Sequence, residues 1–140
     1  MIEALTCLAL NIYWEARNQS TMGQVAVAQV TINRVMDDRF PDTVCEVVMQ
    51  GETYSWNPEI PIRNKCQFSW YCDGKSDTPK EMDAWEKARL IAFGTYGRRV
   101  YDLIDGATHY HAVYVLPDWY QSKQYITRID DHVFYRWESE

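Results

Sequence analysis

The feature that most constrains this chain is the run from residue 2 to residue 16. Leu5, Leu8 and Ile12 recur there at helical spacing, so one face of a helix must be buried. The run passes through Leu10-Asn11-Ile12-Tyr13-Trp14 to a single carboxylate, Glu15, and breaks into the polar stretch Asn18-Gln19-Ser20-Thr21. An acid among Tyr13, Trp14 and Ala16 has two possible settings. On the wet face of the helix it is an ordinary solvated glutamate. In a partly apolar pocket, desolvation keeps it protonated near neutral pH, the state a general acid needs.

Length and charge narrow the classes. The 140 residues suit a single domain, 1–140, large enough to bury a core. A formal charge of −6 argues against a nucleic-acid partner and gives no long-range attraction to anionic membranes or wall polymers. No stretch approaches the roughly 18 continuous apolar residues of a membrane helix. Residues 1–14 lack the basic start and the cleavage site of a signal peptide. The expected site of synthesis is therefore a cytoplasm, with Cys7, Cys45, Cys66 and Cys72 mostly reduced and buried. Six Trp and ten Tyr are many for this length. They supply either core bulk or flat faces for a ligand such as a sugar ring.

The first half of the chain reads as helical. Thr21 with Gln24 forms a capping box that opens a helix to about Met36, although its Val and Ile residues also suit strands. Thr43 with Glu46 opens a short helix, 44–50, stopped by Gly51. Pro58 and Pro61 mark 51–65 as an irregular loop. Thr78, Pro79 and Glu81 start a helix carrying Met82, Trp85, Ala88, Ala92 and Tyr96, ending near Gly97. Strands follow. Cys66 to Tyr71 is a short strand or turn, 107–114 alternates as a strand, Pro117 to Tyr120 is a turn, and 125–129 with 132–137 forms a hairpin about Asp130-Asp131. The expected class is α+β, a helical core with a small sheet at one edge.

Four chemistries are open to these residues. A Cys–His thiol hydrolase lacks any local signature. A metal site would use His109 and His111, which share one strand face, completed by Cys66, Cys72 or His132, but the cysteine spacing is a weak zinc pattern. A sugar-binding module without catalysis would leave the setting of Glu15 unexplained. Glycoside cleavage ordinarily needs two carboxylates, and only Glu15 has an aromatic setting. One carboxylate suffices when the sugar supplies its own nucleophile.

Four blocks carry a resemblance. They are Cys7 to Arg17 continuing through Gly23-Gln24 and Asn33-Arg34, Cys66-Gln67-Phe68-Ser69-Trp70-Tyr71-Cys72-Asp73-Gly74, Gly106-Ala107-Thr108-His109-Tyr110-His111-Ala112, and His132-x-Phe134-Tyr135-Arg136. In this order they resemble the SleB-like cell-wall hydrolases, the spore cortex-lytic type. The resemblance implies a compact, mainly helical domain like lytic transglycosylases and lysozymes, with a small antiparallel sheet. It implies a catalytic glutamate at the position of Glu15. It also implies cleavage of peptidoglycan between N-acetylmuramic acid and N-acetylglucosamine, by lytic transglycosylation giving 1,6-anhydromuramic ends. Hydrolysis of lysozyme type is the first alternative. A metal-dependent amidase or peptidase using His109 and His111 is the second.

Trp14 stands where relatives often carry Gly, Phe or His. Gln67, Ser69, His109, Tyr110 and His111 are the candidate polar contacts to the sugar, and Trp14 and Trp70 the candidate stacking residues. Each has an equally ordinary role in packing or internal hydrogen bonding. No cofactor or metal is called for. The expected partner is peptidoglycan, met by a monomer. A leaderless catalytic domain resembles a phage endolysin released through a holin.

Overall fold

The computed structural model describes residues 2–138. Four helices precede most of the sheet: α1 (Ile2–Ala16), α2 (Thr21–Val35), α3 (Val44–Val48) and α4 (Met82–Tyr96). Strands β1 (Gly51–Tyr54) and β2 (Asn57–Cys66) form an antiparallel hairpin between α3 and α4. Strands β3 (His109–Ala112), β4 (Gln124–Ile129) and β5 (His132–Arg136) form an antiparallel sheet in the order β3-β5-β4. Short 3₁₀ turns occupy Ser69–Cys72 and Asp118–Ser122. The α+β class and the C-terminal hairpin are as expected. Among the described residues no helix is long and apolar enough to cross a membrane.

The buried face of α1 joins α3 and α4 through Leu8, Ile12, Tyr13, Val47, Val48, Ala88 and Ala92. A second cluster, with Ala16, Val27, Val30, Ile104 and Phe134, fills the space under the three-stranded sheet. Helix α2 runs between the two, buried from Gly23 to Thr31. That burial answers the conflict between its β-branched residues and its helical period, because a helix packed on nearly all sides gains more from contact than it loses in propensity.

Three local expectations are corrected. The cap of α2 is Ser20, whose Oγ accepts the Gly23 N–H at 3.1 Å, not Thr21. Helix α4 begins at Met82 rather than Thr78. The backbone N–H groups of Lys80 and Glu81 donate instead to the Tyr13 hydroxyl, at 3.1 and 3.0 Å. The segment 51–65 is the β1–β2 hairpin, not a loop. Both strands of a two-stranded ladder are edges, where proline costs no interior hydrogen bond.

The cysteines are also not reduced thiols. Cys7 bonds Cys45, tying α1 to α3, and Cys66 bonds Cys72, tying the end of β2 to the 3₁₀ turn. Proximity overrides the compartment argument: the Cα atoms lie 5.3 and 6.1 Å apart, within disulfide range. Gly51 makes room for the second bridge, since a Cβ there would lie 2.7 Å from Cys66 Sγ.

Candidate active site

Helix α1 delivers Glu15 in its last turn, beside β3. Strand alternation turns Tyr110 of β3 inward, and its hydroxyl donates to Glu15 Oε1 at 2.5 Å. Burial raises the carboxyl pKa of Glu15, while the Tyr110 hydrogen bond and the Arg34 guanidinium pull it partly back. Burial and the neighbouring Glu15 raise the Tyr110 phenol well above its ordinary range, so Tyr110 is the donor of the pair. Oε1 is then the accepting oxygen, and the acidic proton of Glu15 belongs on Oε2. Among the described residues Oε2 has no hydrogen-bond partner.

Glu15 stands in the wall of an open cleft of about 360 Å³. One side is Trp14, Glu15, Arg17 and Gln19; the other is Ala112, Tyr114, Asp131 and His132. The two sides are joined at one corner. Asp130 Oδ2 accepts from Ser20 N and Oγ, at 2.9 and 2.5 Å. Gln19 Nε2 donates to Asp131 Oδ2 at 3.3 Å, and Gln19 Oε1 accepts the Asp131 N–H at 3.0 Å. Gly23 permits this fit, because a Cβ there would meet Asp130 Oδ2 at 2.5 Å. Gln24 donates to the Gln19 carbonyl at 3.2 Å and holds the same corner from below.

The candidates from sequence land in three places. Trp14 lines the cleft, though its indole N–H is spent on the Asp77 carbonyl at 3.0 Å, and Tyr110 lies behind the cleft wall, hydrogen-bonded to Glu15. Trp70 is in the core, donating to Asn11 Oδ1 at 2.9 Å, and presents no face to a ligand. Gln67, just before the 3₁₀ turn, and Ser69, its first residue, are exposed and do not line this cleft. His109 and His111 point to the opposite face of β3 from Tyr110. There both pack edge-on against Trp119, and His111 Nε2 pairs with the Tyr135 hydroxyl at 2.9 Å. Burial and nearby cations push His109 down to about 3, so it is neutral.

The metal set weighed from sequence does not assemble. Cys66 and Cys72 are disulfide-bonded, and His132 faces inward with Tyr110, away from His109 and His111. Among the described residues no three His, Cys, Asp or Glu side chains form a metal cluster.

Sequence analysis named Arg34 only within a resemblance block, Asp131 only as a turn residue and Tyr114 only as a strand residue. Arg34 is 5% exposed, sandwiched over the rings of Phe40 and Phe68 and donating to the Thr108 carbonyl at 2.7 Å. Its signal was available: a lone cation on a helix whose other faces are apolar.

Residues 18–135 match the family described as Cell Wall Hydrolase. The chain belongs to this family. The match begins just past Glu15. Among curated relatives, the spore cortex-lytic enzyme of Halalkalibacterium halodurans is 31% identical over 132 residues, 91% of this chain and 33% of that protein. The spore cortex-lytic enzyme of Bacillus cereus is 40% identical over 48 residues, 34% of this chain and 18% of that protein. The chain thus spans a third or less of the length of these relatives. Two solved structures cover nearly all of it. The catalytic domain of the Bacillus cereus SleB protein matches with TM-score 0.67 and 28% identity over 97% of this chain and 91% of that one. The catalytic domain of the germination-specific lytic transglycosylase SleB from Bacillus anthracis matches with TM-score 0.63 and 26% identity, covering 95% and 93%.

Proposed function

We propose that this domain cleaves the glycan strand of peptidoglycan between N-acetylmuramic acid and N-acetylglucosamine, as a lytic transglycosylase. The observation that carries the reading is Glu15, a half-buried carboxyl of raised pKa with one oxygen fixed by Tyr110 and the other unpartnered at a cleft. The likeness to the catalytic domain of the germination-specific lytic transglycosylase SleB of Bacillus anthracis supports it.

Glu15 donates the Oε2 proton to the glycosidic oxygen as the bond breaks. Tyr110 strengthens its hydrogen bond as the carboxylate forms, which favours the transition state over the ground state. The carboxylate then takes the proton of the muramic acid C6 hydroxyl as that oxygen closes on C1. The product is a 1,6-anhydro end, and no enzyme nucleophile is needed because the attack is intramolecular. Glu15 ends protonated, ready for a second cut.

The domain acts as a monomer on the wall, outside the cytoplasm, where paired cysteines persist. Release through a holin, as for a phage endolysin, is one route there. A second reading is hydrolysis, favoured by Asp131, the other carboxylate in the cleft wall. Mass spectrometry of muropeptides released from purified peptidoglycan separates the two. Anhydromuramic ends that vanish with Glu15→Gln and survive a chelator support transglycosylation. Reducing ends that also need Asp131 replace it with hydrolysis. Intact glycan refutes both.

A further inference from the structure

His132 takes part in none of the steps above, yet it is built into the cleft. It is 7% exposed, on β5, with its ring edge-on to Tyr110 at 5.0 Å between centroids. Its Nδ1 is sealed from solvent and has no hydrogen-bond partner. Its Nε2 also lacks a partner among the described residues, but it is not sealed, and it is the ring nitrogen that reaches the cleft. A structural histidine at this depth would have at least one nitrogen bonded.

The environment selects the tautomer. A buried N–H without an acceptor forfeits its whole hydration, and orphan donors are rarer in folded proteins than orphan acceptors. The proton therefore belongs on Nε2, with the bare lone pair of Nδ1 inside. Burial also keeps the ring neutral, against the pull of Asp131 and Asp130. The cleft is offered one N–H donor of fixed direction.

The rest of the cleft says what the donor serves. Tyr114, on the same side, is 85% exposed and presents a bare aromatic ring at the cleft edge. A flat apolar face beside a single fixed donor suits a sugar ring, which has apolar faces and a rim of oxygens.

We propose that His132 is a substrate-binding residue of this cleft, giving its Nε2–H to an uncharged sugar oxygen next to the scissile bond, either a hydroxyl or an N-acetyl carbonyl. The inference rests on the glycan reading above and adds a residue to it.

The test is steady-state cleavage of solubilised peptidoglycan by wild type, His132→Phe and His132→Gln. Phe keeps the ring shape and removes the donor; Gln places an amide N–H near the position of Nε2. Expected is a roughly tenfold rise in KM for Phe with kcat little changed, and recovery to within about threefold for Gln. On de-N-acetylated glycan the Phe penalty disappears if the acceptor is the N-acetyl carbonyl and persists if it is a hydroxyl.

Wild-type KM retained by a folded His132→Phe overturns the proposal while leaving the glycan reading intact. No cleavage by wild type overturns that reading and this one with it. Should Phe fail to fold, the imidazole ¹⁵N resonances of wild type decide. A protonated Nε2 that shifts with an N-acetylglucosamine tetrasaccharide supports the proposal; a protonated Nδ1, or an Nε2 that does not respond, overturns it.

Discussion

The Cys7–Cys45 bridge closes a loop of sequence separation 38 and fastens the helix that carries Glu15 to α3. Cross-linking removes loop-closure entropy from the unfolded chain, and for a loop of this size the stabilisation is about 4 kcal/mol at 25 °C. The six-residue Cys66–Cys72 loop gives about 2 kcal/mol by the same relation. At about 2.1 cal/mol/K per residue, a chain of 140 residues has an unfolding entropy near 0.3 kcal/mol/K. Opening the first bridge should therefore lower Tm by about 13 °C and the second by about 7 °C. The assay is thermal unfolding of Cys7→Ala/Cys45→Ala and Cys66→Ala/Cys72→Ala, with fully reduced wild type as the control that keeps the sulfurs in place. Equal shifts from the two pairs, or a larger one from the short loop, would refute the entropic argument. A wild type whose Tm ignores reductant would return the cysteines to free thiols.

Three further outcomes follow from the cleft. Glu15 has a raised folded pKa, so the stability it contributes is full below its unfolded value and is lost as pH rises through the folded one. Glu15→Gln should abolish cleavage yet melt with wild type near pH 4 and above it at pH 7 to 8; a variant that melts lower at neutral pH would contradict the burial argument. Tyr110→Phe removes a hydrogen bond to a developing carboxylate, so kcat should fall about 10- to 100-fold and the basic limb of the pH–rate profile should move upward; an unmoved limb argues against the pairing. Gly23→Ala displaces Asp130 from Ser20, forfeiting two charge-assisted hydrogen bonds against a helix-propensity gain near 1 kcal/mol, a net loss of about 2 kcal/mol. In a denaturant melt, adding Asp130→Ala to that variant should cost almost nothing more.

What could be read from sequence was whatever depended on near neighbours. The helix that carries Glu15, the short helix capped by Thr43 and the hairpin around Asp130-Asp131 need only local chemistry. The errors came from distant partners. Ser20 outcompetes Thr21 as a cap because Asp130, 110 residues away, fixes its backbone and hydroxyl. Helix α4 starts late, at Met82, and the segment before it is held by the Tyr13 hydroxyl, 67 and 68 residues away, which accepts the N–H groups of Lys80 and Glu81. In 109–112 the period of two placed both histidines on one face and Tyr110 on the other. Every candidate there is polar or aromatic, so the pattern did not say which face meets Glu15. Only the packing of Tyr110 against Phe134 and His132 decides it.

The corner joining the two sides of the cleft has a consequence for synthesis. Glu15 meets its hydrogen-bond partner across 95 residues, and the loop after α1 meets the β4–β5 turn across 110 to 112. Glu15 is synthesised well before its partners and cannot be held in place until nearly all of the sheet has left the ribosome. An unfinished chain therefore lacks the cleft, because the side formed by Ala112, Tyr114, Asp131 and His132 is the last to be made.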